Sequence, residues 1–221
     1  MINIGRDESN HDRLVRDMGV PDRHEVEVLI FGHSFISHLE KFTWNNGPKF
    51  AKMGFQNPRI NVHFHGVPGA TIRVLREKHL DVVKKLRPEV IYVQIGTIDL
   101  CDRTRGPEVI GSEMHDLALI LRRLGVRRIV FGQVLFRDEE GKPTGMQHFN
   151  GRVVVLNNYL DAVLGDEYAV RFWRHRGFWR DIESNVKDGT HLNPWGQKKF
   201  FRSVRGAILV TLKEIRPALF M

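Results

Sequence analysis

The chain has 221 residues, 42% hydrophobic and 27% charged, enough apolar material for one sizeable core. No apolar run approaches the ~20 residues of a membrane-spanning helix. Met1–Glu25 lacks the apolar centre of a secretion signal, and the lone Cys101 rules out an internal disulfide, so a cytoplasmic setting is expected. Thirty-four Lys and Arg against 26 Asp and Glu give a net charge of +8, which suits either a polyanion partner or a plain basic protein. The absence of a long basic run or nucleic-acid motif favours the second.

Residues 1–25 read as a polar arm, with one short helix around Asp12–Met18 ended by Pro21-Asp22. Val26–Phe31 is an apolar run of strand length, broken by Gly32 and followed by Ser34. Phe35 and Leu39, at i and i+4, suit one face of a helix. Ser34 therefore stands at a strand-to-helix turn, where it serves as a nucleophile at the sheet edge or as a helix N-cap. Thr43–Pro58 has loop composition, and its aromatics Phe42, Trp44, Phe50 and Phe55 either cover the sheet or line a cleft.

Strand two is placed at Ile60–Phe64, and a helix at Thr71–Leu86. Between them His65-Gly66-Val67-Pro68-Gly69-Ala70-Thr71 makes a tight loop that a ligand can approach closely. His63 and His65 share a strand face as a metal pair does, but no third ligand stands at a recognisable spacing. No metal or cofactor is expected. Val90–Ile95 is a buried strand running into Gly96-Thr97-Ile98-Asp99, with a loop to Pro107 and a helix over Val109–Leu124. Cys101 reads as a buried, inert thiol or as a group near the cleft.

Strand four is Arg128–Leu135, and Arg137–Gly145 is expected as an exposed loop. Phe149–Leu164 carries a helical apolar stripe, and Tyr168–Trp173 is a short fifth strand. Arg171–Arg180 interleaves basic residues with Phe172, Trp173, Phe178 and Trp179, a pattern for single-stranded nucleic acid or for a packed strand end with solvated arginines. Asn193-Pro194 opens a last helix running to about Arg216, and 217–221 is a tail. Just before that helix, Asp188 and His191 are three apart, so the carboxylate can reach the imidazole Nδ1 and leave Nε2 as a base. Five strands alternating with helices give an α/β fold: a three-layer α/β/α sandwich on a parallel sheet, spanning 26–216. Ser34, Gly69, Gly96–Asp99 and Asp188/His191 then fall on one sheet edge.

Four blocks in order, Gly32-His33-Ser34, Gly66–Thr71, Gly96–Asp99 and Asp188-Gly189-Thr190-His191, resemble the SGNH (GDSL-like) hydrolase family. The Gly-Val-Pro-Gly-Ala-Thr loop and Arg87–Ile91 running into Gly96-Thr97 are most similar to the platelet-activating-factor acetylhydrolase catalytic subunits. The resemblance implies a flavodoxin-like five-stranded sheet and hydrolysis of a carboxylic, for instance acetyl, ester through an acyl-serine. It assigns Ser34 as nucleophile, His191 as base and then acid, and Asp188 as orienting acid. The Ser34 and Gly69 N–H groups become oxyanion donors. Two positions depart from the family pattern: His33 stands where it has Asp, and Ile98 where its Asn donates to the oxyanion. His33, Thr97, Ile98 and Asp99 are thus expected to line the pocket, with Thr97 or His33 as substitute donor. The alternative is a catalytically weak or inactive binding domain for a lipid, an acylated sugar or nucleic acid, of the kind that esterase-like domains form in animal mobile elements.

Overall fold

A computed structural model describes residues 25–138, 148–164, 169–178 and 182–221. The expected N-terminal arm, most of the Arg137–Gly145 loop, and Trp179 and Arg180 lie outside the described residues. Five strands, β1 (Val26–Gly32), β2 (Ile60–Gly66), β3 (Val90–Gln94), β4 (Arg128–Gly132) and β5 (Val170–Trp173), form one sheet in the order β2-β1-β3-β4-β5. Every pairing is parallel, with Val28 opposite both Val62 and Val90. The expected parallel α/β sheet is therefore present, and the chain reverses direction across the sheet between β1 and β3, where open α/β sheets bind ligands.

The helices are α1 (Ser34–Asn45), α2 (Ile72–Lys78), α3 (Leu80–Leu86), α4 (Pro107–Arg123), α5 (Phe149–Leu164) and α6 (Pro194–Ile215). Period-two alternation along β1 divides the core. Val28 and Ile30 pack with α1 and α6, through residues such as Leu39, Phe200 and Val204. Leu29 and Phe31 pack with α2 to α5, through Leu75, Met114 and Leu156. Strands covered on both faces need apolar side chains at every position, which is why β1 and β3 read as unbroken apolar runs.

The structure corrects several sequence boundaries. The helix expected over Thr71–Leu86 is two helices, broken at His79 (φ −126°, ψ 6°), whose imidazole sits 3.0 Å from that of His65. The stretch expected as loop over Thr43–Pro58 holds the end of α1 and a 3-10 segment, Pro48–Gly54. Strand four stops at Gly132 rather than Leu135. Phe178 is fully buried and the Trp173 indole donates to Ser203 Oγ at 3.0 Å, while Arg171 pairs with Glu214 and Arg174 with Asp161. Trp173 and Phe178 are thus packed into the fold. At the chain end, Leu219 is buried and its carbonyl accepts from Asn57 Nδ2.

Candidate active site

Ser34 and Gly69 follow strand ends, and Asp188 and His191 come from the loop before α6. Gly32 ends β1 with φ +156°, and a Cβ there would stand 2.1 Å from the Gln94 carbonyl oxygen, so only glycine lets β1 approach β3 this closely. The His33 N–H donates to that same carbonyl at 3.1 Å, and the chain turns directly into α1. Ser34 is the first residue of α1 and not its cap. The cap is His33, whose Nδ1 accepts from the Phe35 N–H at 3.4 Å. Ser34 thus sits at the positive end of a helix dipole.

From β2, Gly66 passes so close to α1 that a Cβ would meet the Ser37 nitrogen at 2.2 Å. The loop then delivers Gly69 at φ +76°, with open space where a side chain would be. Among the described residues the N–H groups of Ser34 and Gly69 donate to no other backbone group. Backbone N–H groups without a backbone acceptor are the kind of donor that can stabilise an oxyanion.

From the loop before α6, Asp188 Oδ2 lies 2.9 Å from His191 Nδ1, and Asp188 Oδ1 accepts from the backbone N–H groups of His191 (2.7 Å) and Thr190 (3.0 Å). Partial burial works to raise the Asp188 pKa, but these donors outweigh it and hold the carboxyl well below the usual carboxylate range. With Nδ1 bonded to a carboxylate, Nε2 is the nitrogen left to take a proton. Asn193 caps α6 by accepting from Gly196, which fixes the loop's exit.

The His191 ring lies 5.1 Å from that of His38, one turn beyond Ser34 on α1. Burial, then His191, Lys187 and Lys41, push the His38 pKa down, and Asp188 opposes them. The sequence reading missed His38, though its i, i+4 spacing from Ser34 places both on one helix face. His38 also borders a cavity of about 750 Å³ with Lys41, Phe42, Lys187, Leu192 and Lys198. Phe42 and Phe50 line it while packing against Phe201.

The residues of the loop after β3 differ in exposure. Ile98 is 37% exposed, whereas Thr97, Asp99 and also His33 are buried. Asp99 is a structural tie: its carboxylate accepts from the Ile72 N–H at 3.2 and 3.3 Å and faces Arg105 at 3.5 Å, joining this loop to the start of α2. Burial raises its pKa against those contacts. Cys101 is exposed, contrary to the buried thiol expected.

Arg137 is the larger correction. Expected in an exposed loop, it is 7% exposed. Its guanidinium lies 4.2 Å from the Phe149 ring, and Nη1 is 3.4 Å from Cys101 Sγ. Its Nε is buried without a partner, as are His33 Nε2 and Thr97 Oγ1. Leaving such a charge unpaired costs several kcal/mol, of which the face of Phe149 offsets about 2 or more. His33 adds no negative charge: burial, then Arg137, His191 and His38, lower its pKa to about 3, so the ring is neutral. No cluster of three or more His, Cys, Asp or Glu that could hold a metal occurs among the described residues, and His63 instead pairs with Glu27 at 2.5 Å. No described helix is long and apolar enough to cross a membrane.

No curated protein matches the chain. Solved structures do. One, provisionally described as an acylhydrolase, from Bacteroides fragilis NCTC 9343, has a TM-score of 0.67 at 17% identity, covering 94% of this chain and 100% of that one. A Streptococcus pneumonia protein provisionally described as a platelet activating factor has a TM-score of 0.60 at 15% identity, covering 88% and 89%. A catalytic mutant of Axe2, an acetylxylan esterase from Geobacillus stearothermophilus, has a TM-score of 0.60 at 12% identity, covering 89% and 97%. At such identities the likeness is one of fold. Residues 30–199, most of the described sheet and the whole candidate site, match the model of the GDSL-like lipase/acylhydrolase family. The chain belongs to that family of ester hydrolases.

Proposed function

We propose that the protein hydrolyses a short-chain carboxylic ester through an acyl-serine intermediate on Ser34. The observation that carries this reading is the 2.9 Å Asp188–His191 bond on the same sheet rim where Ser34 opens α1. In acylation, Ser34 Oγ attacks the ester carbonyl carbon and its proton passes to His191 Nε2. The tetrahedral oxyanion takes hydrogen bonds from the Ser34 and Gly69 N–H groups. It collapses by breaking the bond to the alcohol oxygen, which receives the proton from His191. Water, deprotonated by the same imidazole, then attacks the acyl-serine, releases the acid and restores the Ser34 hydroxyl. Asp188 holds the tautomer and stabilises the imidazolium. Acetyl esters are the first substrates to try, because acetyl groups are what the similarly folded Axe2 removes.

A fluorophosphonate probe and 4-nitrophenyl acetate test the reading. Labelling and turnover are both expected, and both should vanish in Ser34→Ala. Ile98 in place of a side-chain donor favours a second reading, a binding domain with little turnover. Absent labelling together with Ser34-independent background hydrolysis would select it.

A further inference from the structure

Resting on the ester-hydrolase reading above, we propose that the Ser34 cleft selects esters bearing a carboxylate or phosphate, and that Arg137 is the residue that meets this charge. Three observations lead there. First, Arg137 is buried where four parts of the rim converge. It touches Cys101 after β3 and Phe149 at the start of α5. Its charge is felt at His33 after β1, and the neighbouring Asp138 N–H donates to Gly189 of the His191 loop at 2.9 Å.

Second, this cation has no counter-ion among the described residues. Its contacts among the described residues are a thiol, an aromatic face and the Asn150 side chain on its backbone, and Nε has no acceptor. Buried charges in folded proteins are normally paired. A guanidinium fork presents paired donors that match the two oxygens of a carboxylate or phosphate.

Third, the cavity that His38 borders, which Arg137 itself does not line, has the same sign. Lys41, Lys49, Lys187 and Lys198 line it and no carboxylate does. A cleft lined by one sign of charge concentrates substrates of the other. The cavity borders His38 on the His191 side, where the departing alcohol is protonated, so the alcohol half is the part of the ester the lysines reach.

The test uses two matched pairs of esters. The first is 3-acetoxybenzoate and its methyl ester, which differ in charge on the alcohol half. The second is mono-4-nitrophenyl glutarate and its methyl ester, which differ on the acyl half. The full chain is expected to prefer the anion in at least one pair by ~10-fold or more in kcat/KM, and Arg137→Gln to collapse that ratio mainly through KM. Arg137→Lys keeps the charge without the fork and should hold the ratio above one, which covers the case of a Gln variant that does not fold. No preference in either pair overturns the proposal. So does a ratio that survives Arg137→Gln, or an equal kcat loss on both members, which would place Arg137 at the oxyanion common to all esters. Calorimetric binding of glutarate and 3-hydroxybenzoate to the wild type and Arg137→Gln separates the two readings. Arg137-dependent binding without turnover sinks the esterase and spares the anion site. Arg137-dependent binding of a single-stranded oligonucleotide that displaces glutarate would assign the charge to a polymer and overturn the small-ester proposal.

Discussion

Ile98 stands where the resemblance implies a third oxyanion donor, and at 37% exposure it has room to be replaced. Losing one such donor typically costs ~10²–10³ in turnover. Ile98→Asn is therefore expected to raise kcat on 4-nitrophenyl acetate by ~10-fold or more, with KM changing less. An unchanged or lower kcat would show that the oxyanion does not lie next to position 98. Much at this scale was legible in the sequence. The three-residue spacing of Asp188 and His191 foretold their bond, because a turn that short brings the carboxylate within reach of the imidazole. Arg137 was not legible. Its segment is polar, with Gly141, Pro143 and Gly145 close behind, and nothing local records that Phe149 and Cys101 fold over its side chain.

Between elements, the site depends on how closely β1, β2 and β3 approach at their C-terminal ends. Gly32 is the most demanding point, since its φ of +156° and the Gln94 carbonyl together exclude a side chain. Gly32→Ala should cost several kcal/mol, read as a lower urea midpoint at unchanged m-value. It should also reduce turnover, because the residue two positions on is Ser34. A midpoint within error of wild type would mean that β1 can slide away from β3 freely. The strands themselves could be read from sequence because buried parallel strands leave continuous apolar runs. The break at His79 could not, because Arg76 and Lys78 before it and Leu80 to Val83 after it are all acceptable in one continuous helix. What divides α2 from α3 is a turn that sets His79 against His65, a contact 14 residues away.

For the molecule as a whole, acid is the natural denaturant. His33 and His175 are both buried, and burial leads the causes that lower each pKa to about 3. Unfolded, each titrates near 6.5. Between those values the unfolded chain binds protons that the folded one refuses, so stability rises with pH and is lost as pH falls below 6.5. Each histidine contributes up to ~1.4 kcal/mol per pH unit, and the pair up to ~4 kcal/mol between pH 6.5 and 5. That is a large part of a typical domain's stability. Urea midpoints should be level from pH 8 to 7 and drop steadily below 6.5, with His175→Gln removing about half of the drop attributed to the pair. A flat profile down to pH 5 would show that one or both rings charge without unfolding. Cys101, meanwhile, is the chain's lone sulfhydryl, solvent-facing and 3.4 Å from the Arg137 guanidinium. A maleimide dye can therefore attach at a single address, so the fold supplies its own fluorescent reporter of the surroundings of Arg137.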